Sequence, residues 1–273
     1  MKKIKKALIY ICIGLVLLWT IFPIIYMIMT SLKSADIILA IPPRFVFKPS
    51  LNQYRKLFLI DSYYIYLVNS FVVASVATLG ALFIGSMMAF AYDLWSFKFK
   101  KLTYFLILFT RIFPPITTLI PVFLIIRSLN LLDTKTGLIL LYIAFQIPLI
   151  TIIMREFFHT IPKELYECAY LEGATQIQVF FKISMPLALP GIVSSSILVF
   201  IFNWNEFIFA FILTSFKART LPLGVYLFTE SEQLVQWASI SALGVITMLP
   251  IVLFTLLLSR YLIKGLKAGA IKG

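Results

Sequence analysis

Few side chains in this sequence could carry out covalent chemistry, and those few are scattered. The only histidine is His159, which has no clustered ligands and reads as structural. Cys12 and Cys168 are too far apart in setting to suggest a disulfide or metal framework. No Ser/His/Asp set, metal-spaced cluster or convergent carboxylate pair occurs, so no catalysis is assigned. Polar groups embedded in apolar sequence are more informative. Asn203, Asn205 and Glu206 stand among Phe200, Phe202, Trp204, Phe207 and Phe209. Asn203 and Glu206 are three apart and share a helix face. Hydrogen-bonding groups beside aromatic rings suit a sugar, which offers hydroxyls and apolar ring faces. The same residues equally suit a structural hydrogen bond between helices. Arg111, just before Phe113-Pro114-Pro115, has three open uses: pairing with a carboxylate such as Glu206, snorkelling, or meeting substrate.

Glu164 to Pro190 is the one long amphipathic, charge-bearing stretch. Pro162 suits a first helical turn, a short helix follows from about Lys163 to Leu171, and Gly173 caps its end. Thr175 and Gln178 have the spacing of a capping box for a second helix, which Pro186 is expected to end. Ile177, Phe180 and Phe181 would form its apolar face. Such a helix–turn–helix could lie on lipid headgroups or dock into a groove on a soluble partner. The tail from Gly265 is glycine-rich and basic, but it lacks P-loop spacing, and no P-loop occurs elsewhere. A disordered tail and a phosphate-seeking one both fit it.

These residues must be positioned by membrane-spanning helices. Hydrophobic residues make up 61% of the 273 positions and charged ones only 13%, too apolar for a soluble domain. The expectation is all-α: one membrane domain over residues 1–273, with six spans near 7–30, 65–92, 102–126, 137–154, 187–213 and 237–263. A cytoplasmic loop is expected at about 156–186. The basic start and first apolar run read as a retained span, since the run is too long for a signal peptide. Pro114, Pro115 and Pro121 predict a kink in the third span. The net charge of +13 comes from Lys and Arg beside apolar runs, the pattern of membrane-surface loops rather than of nucleic-acid binding. Fourteen of them fall on the side of the termini and nine on the other, which predicts cytoplasmic termini in the cell membrane.

Glu167-Cys168-Ala169, Gly173, Ile183 and Pro186 resemble the EAA loop of ABC-importer permease subunits. Cys168 replaces the usual alanine and Met185 the usual leucine. The resemblance implies that these six residues couple the chain to an ATP-hydrolysing subunit, with Gly173 allowing the turn and Glu167 offering a charge. Pro43-Arg-Phe-Val-Phe with Asn52-Gln-Tyr, Asn203-Trp-Asn-Glu-Phe and Thr220-Leu-Pro-Leu-Gly are similar to motifs of the carbohydrate, MalG-like branch. The tail residues Gly269, Ala270, Lys272 and Gly273 resemble an ending that reaches the interface between two ATPase subunits. The resemblance therefore implies a sugar-importing permease. Its partners would be a second homologous permease, two ATPase subunits and an extracytoplasmic solute-binding protein, with lipid around it. No cofactor belongs to this chain, ATP and Mg being held by the ATPase subunits. A polyol, glycerol phosphate or amino acid is the alternative cargo. A secondary transporter would call for inverted repeats and an ion site, and neither is seen.

Overall fold

Apolar sequence in lipid must satisfy its own backbone, and helices do so within one segment. A computed structural model of the chain describes residues 2–38, 40–60, 62–230 and 236–270. All regular structure among them is helical. In chain order the helices are α1 (Lys2–Ser31), α2 (Ala35–Ile38), α3 (Asn52–Arg55), α4 (Tyr64–Leu94), α5 (Lys100–Thr110), α6 (Leu119–Ser128) and α7 (Lys135–His159). They continue as α8 (Lys163–Leu171), α9 (Gln176–Val179), α10 (Met185–Leu187), α11 (Leu189–Trp204), α12 (Ile208–Leu213), α13 (Leu221–Glu230) and α14 (Trp237–Ala270).

Four helices, α1, α4, α7 and α14, are each long and apolar enough to cross a bilayer. Two further helix pairs are long and apolar enough only when each bent pair is taken as one span, which brings the candidates to six. The third is not a kinked helix but two pieces, α5 and the segment Pro115–Ser128, bent by 101° across Arg111 to Pro114. Pro114 supplies no donor and Pro115 restarts the chain as a 3-10 turn, so two adjacent prolines break what one would kink. The fifth span breaks at both ends. Pro186 does not end the helix before it: the chain runs through a π turn, Phe180–Ser184, into α10, and the 79° bend falls at Ala188. Pro186 sits in the first turn of α10, where a missing N–H costs little. The chain leaves the helix again at Asn205 to Phe207 before α12. The expected loop after the fifth span carries a helix of its own, α13.

The chain forms two compact units. One comprises residues 1–65 and 224–250. Within it the Ser31 hydroxyl meets the Tyr54 hydroxyl at 2.8 Å, and Tyr63 stacks on Phe228 at 4.9 Å. The other comprises residues 66–223 and 251–273 and holds most of the buried core. There small residues on α4 and α11 let α7 approach closely, the usual device where no hydrophobic force separates helix from lipid. A Cβ on Gly85 would lie 2.8 Å from the Ile150 Cβ and 3.2 Å from the Ile147 carbonyl. One on Gly191 would strike the Phe157 ring at 2.4 Å.

Gly85→Val should therefore destabilise the protein by about 1–3 kcal/mol through overpacking. A lowered thermal midpoint in detergent would report it, while Gly14→Val, with open space around it, should leave the midpoint unchanged.

Candidate functional site

The polar stretch folds as its capping signals require. Pro162 stands just before the first turn of α8 rather than in it, without a side-chain cap, and α8 closes in a Schellman turn. The Gly173 N–H donates to the Tyr170 carbonyl at 3.0 Å and the Ala174 N–H to the Ala169 carbonyl at 2.9 Å. Gly173 holds φ +82°, the left-handed region that favours glycine. The Gln178 N–H then donates to Thr175 Oγ1 at 3.3 Å, and the Thr175 N–H returns to Gln178 Oε1 at 2.8 Å, completing the capping box of α9.

The loop has two faces. Outward lie Glu167, Cys168, Gly173 and Pro186, with Leu171 and Ile177 exposed at 89% and 69% on either side of the turn. A cleft of about 410 Å³ beside Gly173 is lined by Ala169, Glu172, Gln178, Lys182 and Ile183. Inward lie Tyr166, Ala169, Val179 and Phe180, all buried. The apolar face of the second helix is thus Val179 and Phe180. Ile177 is exposed, and Phe181, half exposed, stacks on Phe83 of α4 at 6.4 Å, so neither joins the inward face that the spacing suggested.

The inward face is tied to the spans by aromatic rings. Phe90 of α4 meets Phe158 of α7 edge-on at 6.0 Å, Tyr166 of α8 at 6.3 Å and Phe180 at 5.2 Å. Ser184 donates to the Tyr166 hydroxyl oxygen at 3.4 Å. Burial raises the pKa of Tyr166, so it stays a neutral ring. At the rim His159 Nδ1 lies 3.1 Å from Asp93 Oδ1, consistent with a structural histidine.

The membrane polar residues occupy distinct places. Asn203 is buried; its side-chain amide donates to Thr78 Oγ1 of α4 at 3.2 Å, and its oxygen accepts from Gln146 of α7 at 3.2 Å. It thereby joins three spans. Trp204 is buried and stacks on Phe200 at 5.7 Å. Asn205 is exposed and folds back on the Ile201 carbonyl at 2.9 Å. Glu206 sits at the break before α12. Its carboxylate accepts from the backbone of Phe209 at 2.8 Å and of Ala210 at 3.2 Å, and from the Tyr142 hydroxyl at 2.6 Å. The carboxylate supplies acceptors for donors that a helix start leaves unpaired. Arg111 does not pair with Glu206. It closes α5 at the break, donates to the Phe145 carbonyl at 3.1 Å, and lines a cleft of about 440 Å³ with Phe113, Thr118 and Pro148. Of the tail residues, Gly269 and Ala270 end α14, while Lys272 and Gly273 lie outside the described residues.

Sequence reasoning missed Asp133. It holds φ +54° in the turn before α7, and its N–H donates to the Leu213 carbonyl at 2.8 Å. Its carboxylate gathers the N–H groups of Ser215, Phe216, Lys217 and Ala218 at 3.0–3.2 Å. Burial works against the charge, but these four donors outweigh it and hold the carboxyl below its ordinary value. The sole sequence signal is an Asp in a short loop, which is a common turn residue.

Bent and interrupted spans around a buried polar join, with a capped loop at one end, define a polytopic helical membrane protein. Residues 81–268 match the family model of the binding-protein-dependent transport system inner membrane component, and the chain belongs to that family. It is 34% identical to the sulfoquinovosyl glycerol transport system permease protein of Agrobacterium fabrum, covering 98% of this chain and 94% of the relative. It is 36% identical to a trehalose transport system permease protein of Mycobacterium tuberculosis, with 95% of each covered. Identity to the trehalose/maltose permease protein MalG of Thermococcus litoralis is 34%, over 99% and 98%. Among solved structures, a chain of a bacterial ABC transporter that imports the acidic polysaccharide alginate superposes with a TM-score of 0.80 at 23% identity, over 95% of this chain and 96% of that one. That likeness supports the fold.

Replacing Asn203 with Ala strands Gln146 and Thr78 and should cost about 1–2 kcal/mol of stability. Unchanged thermal stability together with altered uptake would assign Asn203 to the cargo path instead. Asp133→Asn tests the loop clamp through pH. A depressed carboxyl contributes stability above its unfolded pKa and loses it as pH falls through the folded one. Wild type should therefore be more stable than the variant at neutral pH, and the two unfolding midpoints should converge as pH falls below the ordinary carboxylate range.

Proposed function

We propose that the chain is one permease subunit of an ATP-driven importer of a sugar or oligosaccharide, working as a single domain over residues 1–273. The observation that carries this reading is the loop at Gly173: a built turn with exposed apolar and acidic side chains outside and a packed aromatic attachment inside. Exposed Leu171 and Ile177 beside a cleft suit a protein groove better than water. The partners are a second homologous permease subunit, two ATP-binding-cassette ATPase subunits and an extracytoplasmic solute-binding protein. ATP and Mg belong to the ATPase subunits, and this chain performs no hydrolysis. The Lys and Arg bias supports cytoplasmic termini and a cytoplasmic loop. The tail from Gly269 to Gly273 is assigned to the ATPase interface on its motif.

In this reading Glu167, Cys168, Ala169, Gly173, Ile183 and Pro186 form the coupling element. The ATPase pair favours different positions of the loop in its open and closed states, since a partner with equal affinity for both would shift nothing. The Phe90 hub makes the loop move as one body with the inner ends of α4 and α7. Displacement there tilts the spans that Asn203 joins, and access alternates. Sugar as cargo is supported by the relatives' names and by the Asn203-Trp-Asn-Glu-Phe resemblance. Arg111 in its cleft and exposed Asn205 remain the residues of the cargo path with free surface, whereas Asn203, Trp204 and Glu206 act chiefly by holding it.

Gly173→Val tests the reading. A β-branched residue in the left-handed region costs about 1–2 kcal/mol at the turn and should re-set it. Uptake of labelled sugar in reconstituted vesicles should fall severely while membrane insertion is kept. Normal uptake, or failure to recover a P-loop ATPase with the wild-type chain in mild detergent, would sink the proposal. Cys168 supplies a second readout: an impermeant maleimide should label it on the cytoplasmic side only, and the docked ATPase should protect it.

A further inference from the structure

A buried charge lies just beyond the far end of α1. Lys33 lies two residues beyond α1 and is only 3% exposed. Its ammonium sits 5.5, 6.0 and 5.4 Å from the ring centroids of Tyr26, Phe45 and Phe47. Among the described residues it makes no hydrogen bond and no ion pair. Three ring faces attract a cation but bring no negative charge of their own. The same lysine lines a cavity of about 560 Å³ between α1 and the start of α14, into which Thr30 and Ser241 also face. No carboxylate stands among the described lining residues.

The cavity changes character along its length. At the Lys33 end it has an ammonium, two hydroxyl side chains and the indole of Trp237, a residue favoured at headgroup level. Towards the middle of α1 its walls are Met27, Pro23 and Phe22. From Lys33 to Phe22 is eleven residues, about 16 Å at a helical rise of 1.5 Å. That is close to half the hydrocarbon thickness of about 30 Å, so the groove runs from the headgroups to the bilayer midplane. Phe22 and Tyr26 are exposed along it. A free phosphate would fill only the charged end. A sugar would leave its hydroxyls against Phe22, Pro23 and Met27.

We infer that this cavity is a binding site for an anionic phospholipid. The phosphate rests on Lys33, with Thr30 and Ser241 beside it. One acyl chain follows Met27, Pro23 and Phe22 inward. A headgroup of net negative charge balances the lysine. A zwitterionic one would bring a second cation where the lining offers no carboxylate to receive it. The site is separate from the coupling loop and does not depend on the cargo.

Trp237 is a reporter built into the site. The full chain would be reconstituted in phosphatidylcholine vesicles containing a small fraction of either phosphatidylglycerol or phosphatidylcholine with brominated chains. The Trp237 signal is the emission lost in W237F. Brominated phosphatidylglycerol should quench it with an apparent affinity about fivefold above brominated phosphatidylcholine, the ratio expected for one lysine near an anionic surface. Lys33→Met should abolish that preference and Lys33→Arg should keep it. If Lys33→Met does not insert, the wild-type comparison of the two lipids decides. Equal quenching by the two lipids would overturn the inference, as would an unchanged preference in Lys33→Met. Displacement by inorganic phosphate would reduce the site to an anion site, and loss of quenching on adding the second permease would make it a protein interface. Either result would refute the lipid assignment.

Discussion

The constraint on which this structure depends is the pairing of backbone groups wherever a helix stops inside an apolar medium. An unbroken span needs nothing from its neighbours, but a broken one exposes donors and acceptors that lipid cannot satisfy. Residues 66–223 break their spans three times, at Arg111 to Pro114, at Ala188 and at Asn205 to Phe207. Charged or polar side chains attend two of these places. Glu206 accepts the first N–H groups of α12, and Arg111 closes α5 while reaching the Phe145 carbonyl. Asp133 does the same work where the chain leaves α12, collecting four consecutive N–H groups. Glu206, Arg111 and Asp133 are thus first explained by the backbone groups they satisfy, and only then by cargo.

The loop at Gly173, proposed above as the coupling element, solves the reverse problem. It must stay polar and exposed outside yet rigidly attached inside. The Schellman turn and the capping box satisfy its backbone locally, which frees its outer side chains to meet a partner. Phe90, Phe158, Tyr166 and Phe180 provide the attachment, with ring edges meeting ring faces at 5.2–6.3 Å. A force applied at Glu167 or Gly173 has a short, packed route to α4 and α7.

Much of this was legible in the sequence, for reasons that can be named. The spans follow from apolar run length. The boundaries of α8, the turn at Gly173 and the Thr175–Gln178 box follow from capping chemistry, which acts within a few residues. What failed to show was non-local. Two adjacent prolines at 114 and 115 read as a kink, because a sequence does not show whether neighbouring helices will house a 101° bend. The second helix of the loop turns Val179 and Phe180 inward and leaves Ile177 exposed, and nothing in the residue types marks which of its apolar residues the neighbouring helices will cover. Asn203 and Glu206 stood out as polar residues in an apolar run. Their partners Thr78, Gln146 and Tyr142 lie 57 to 125 residues away in sequence, so the sequence allowed both a cargo role and a packing role.

The central claim is that the coupling loop and the inner ends of α4 and α7 form one rigid body. It is tested most directly in a Cys12→Ser background by a spin-label pair on Cys168 and on a cysteine replacing the exposed Trp95 just beyond α4, in the assembled transporter with and without ATP. One narrow distance distribution, unchanged by ATP while sugar is transported, is the predicted result. A distribution that shifts or broadens when ATP is added would mean that the loop moves independently of the spans, and the account would be wrong.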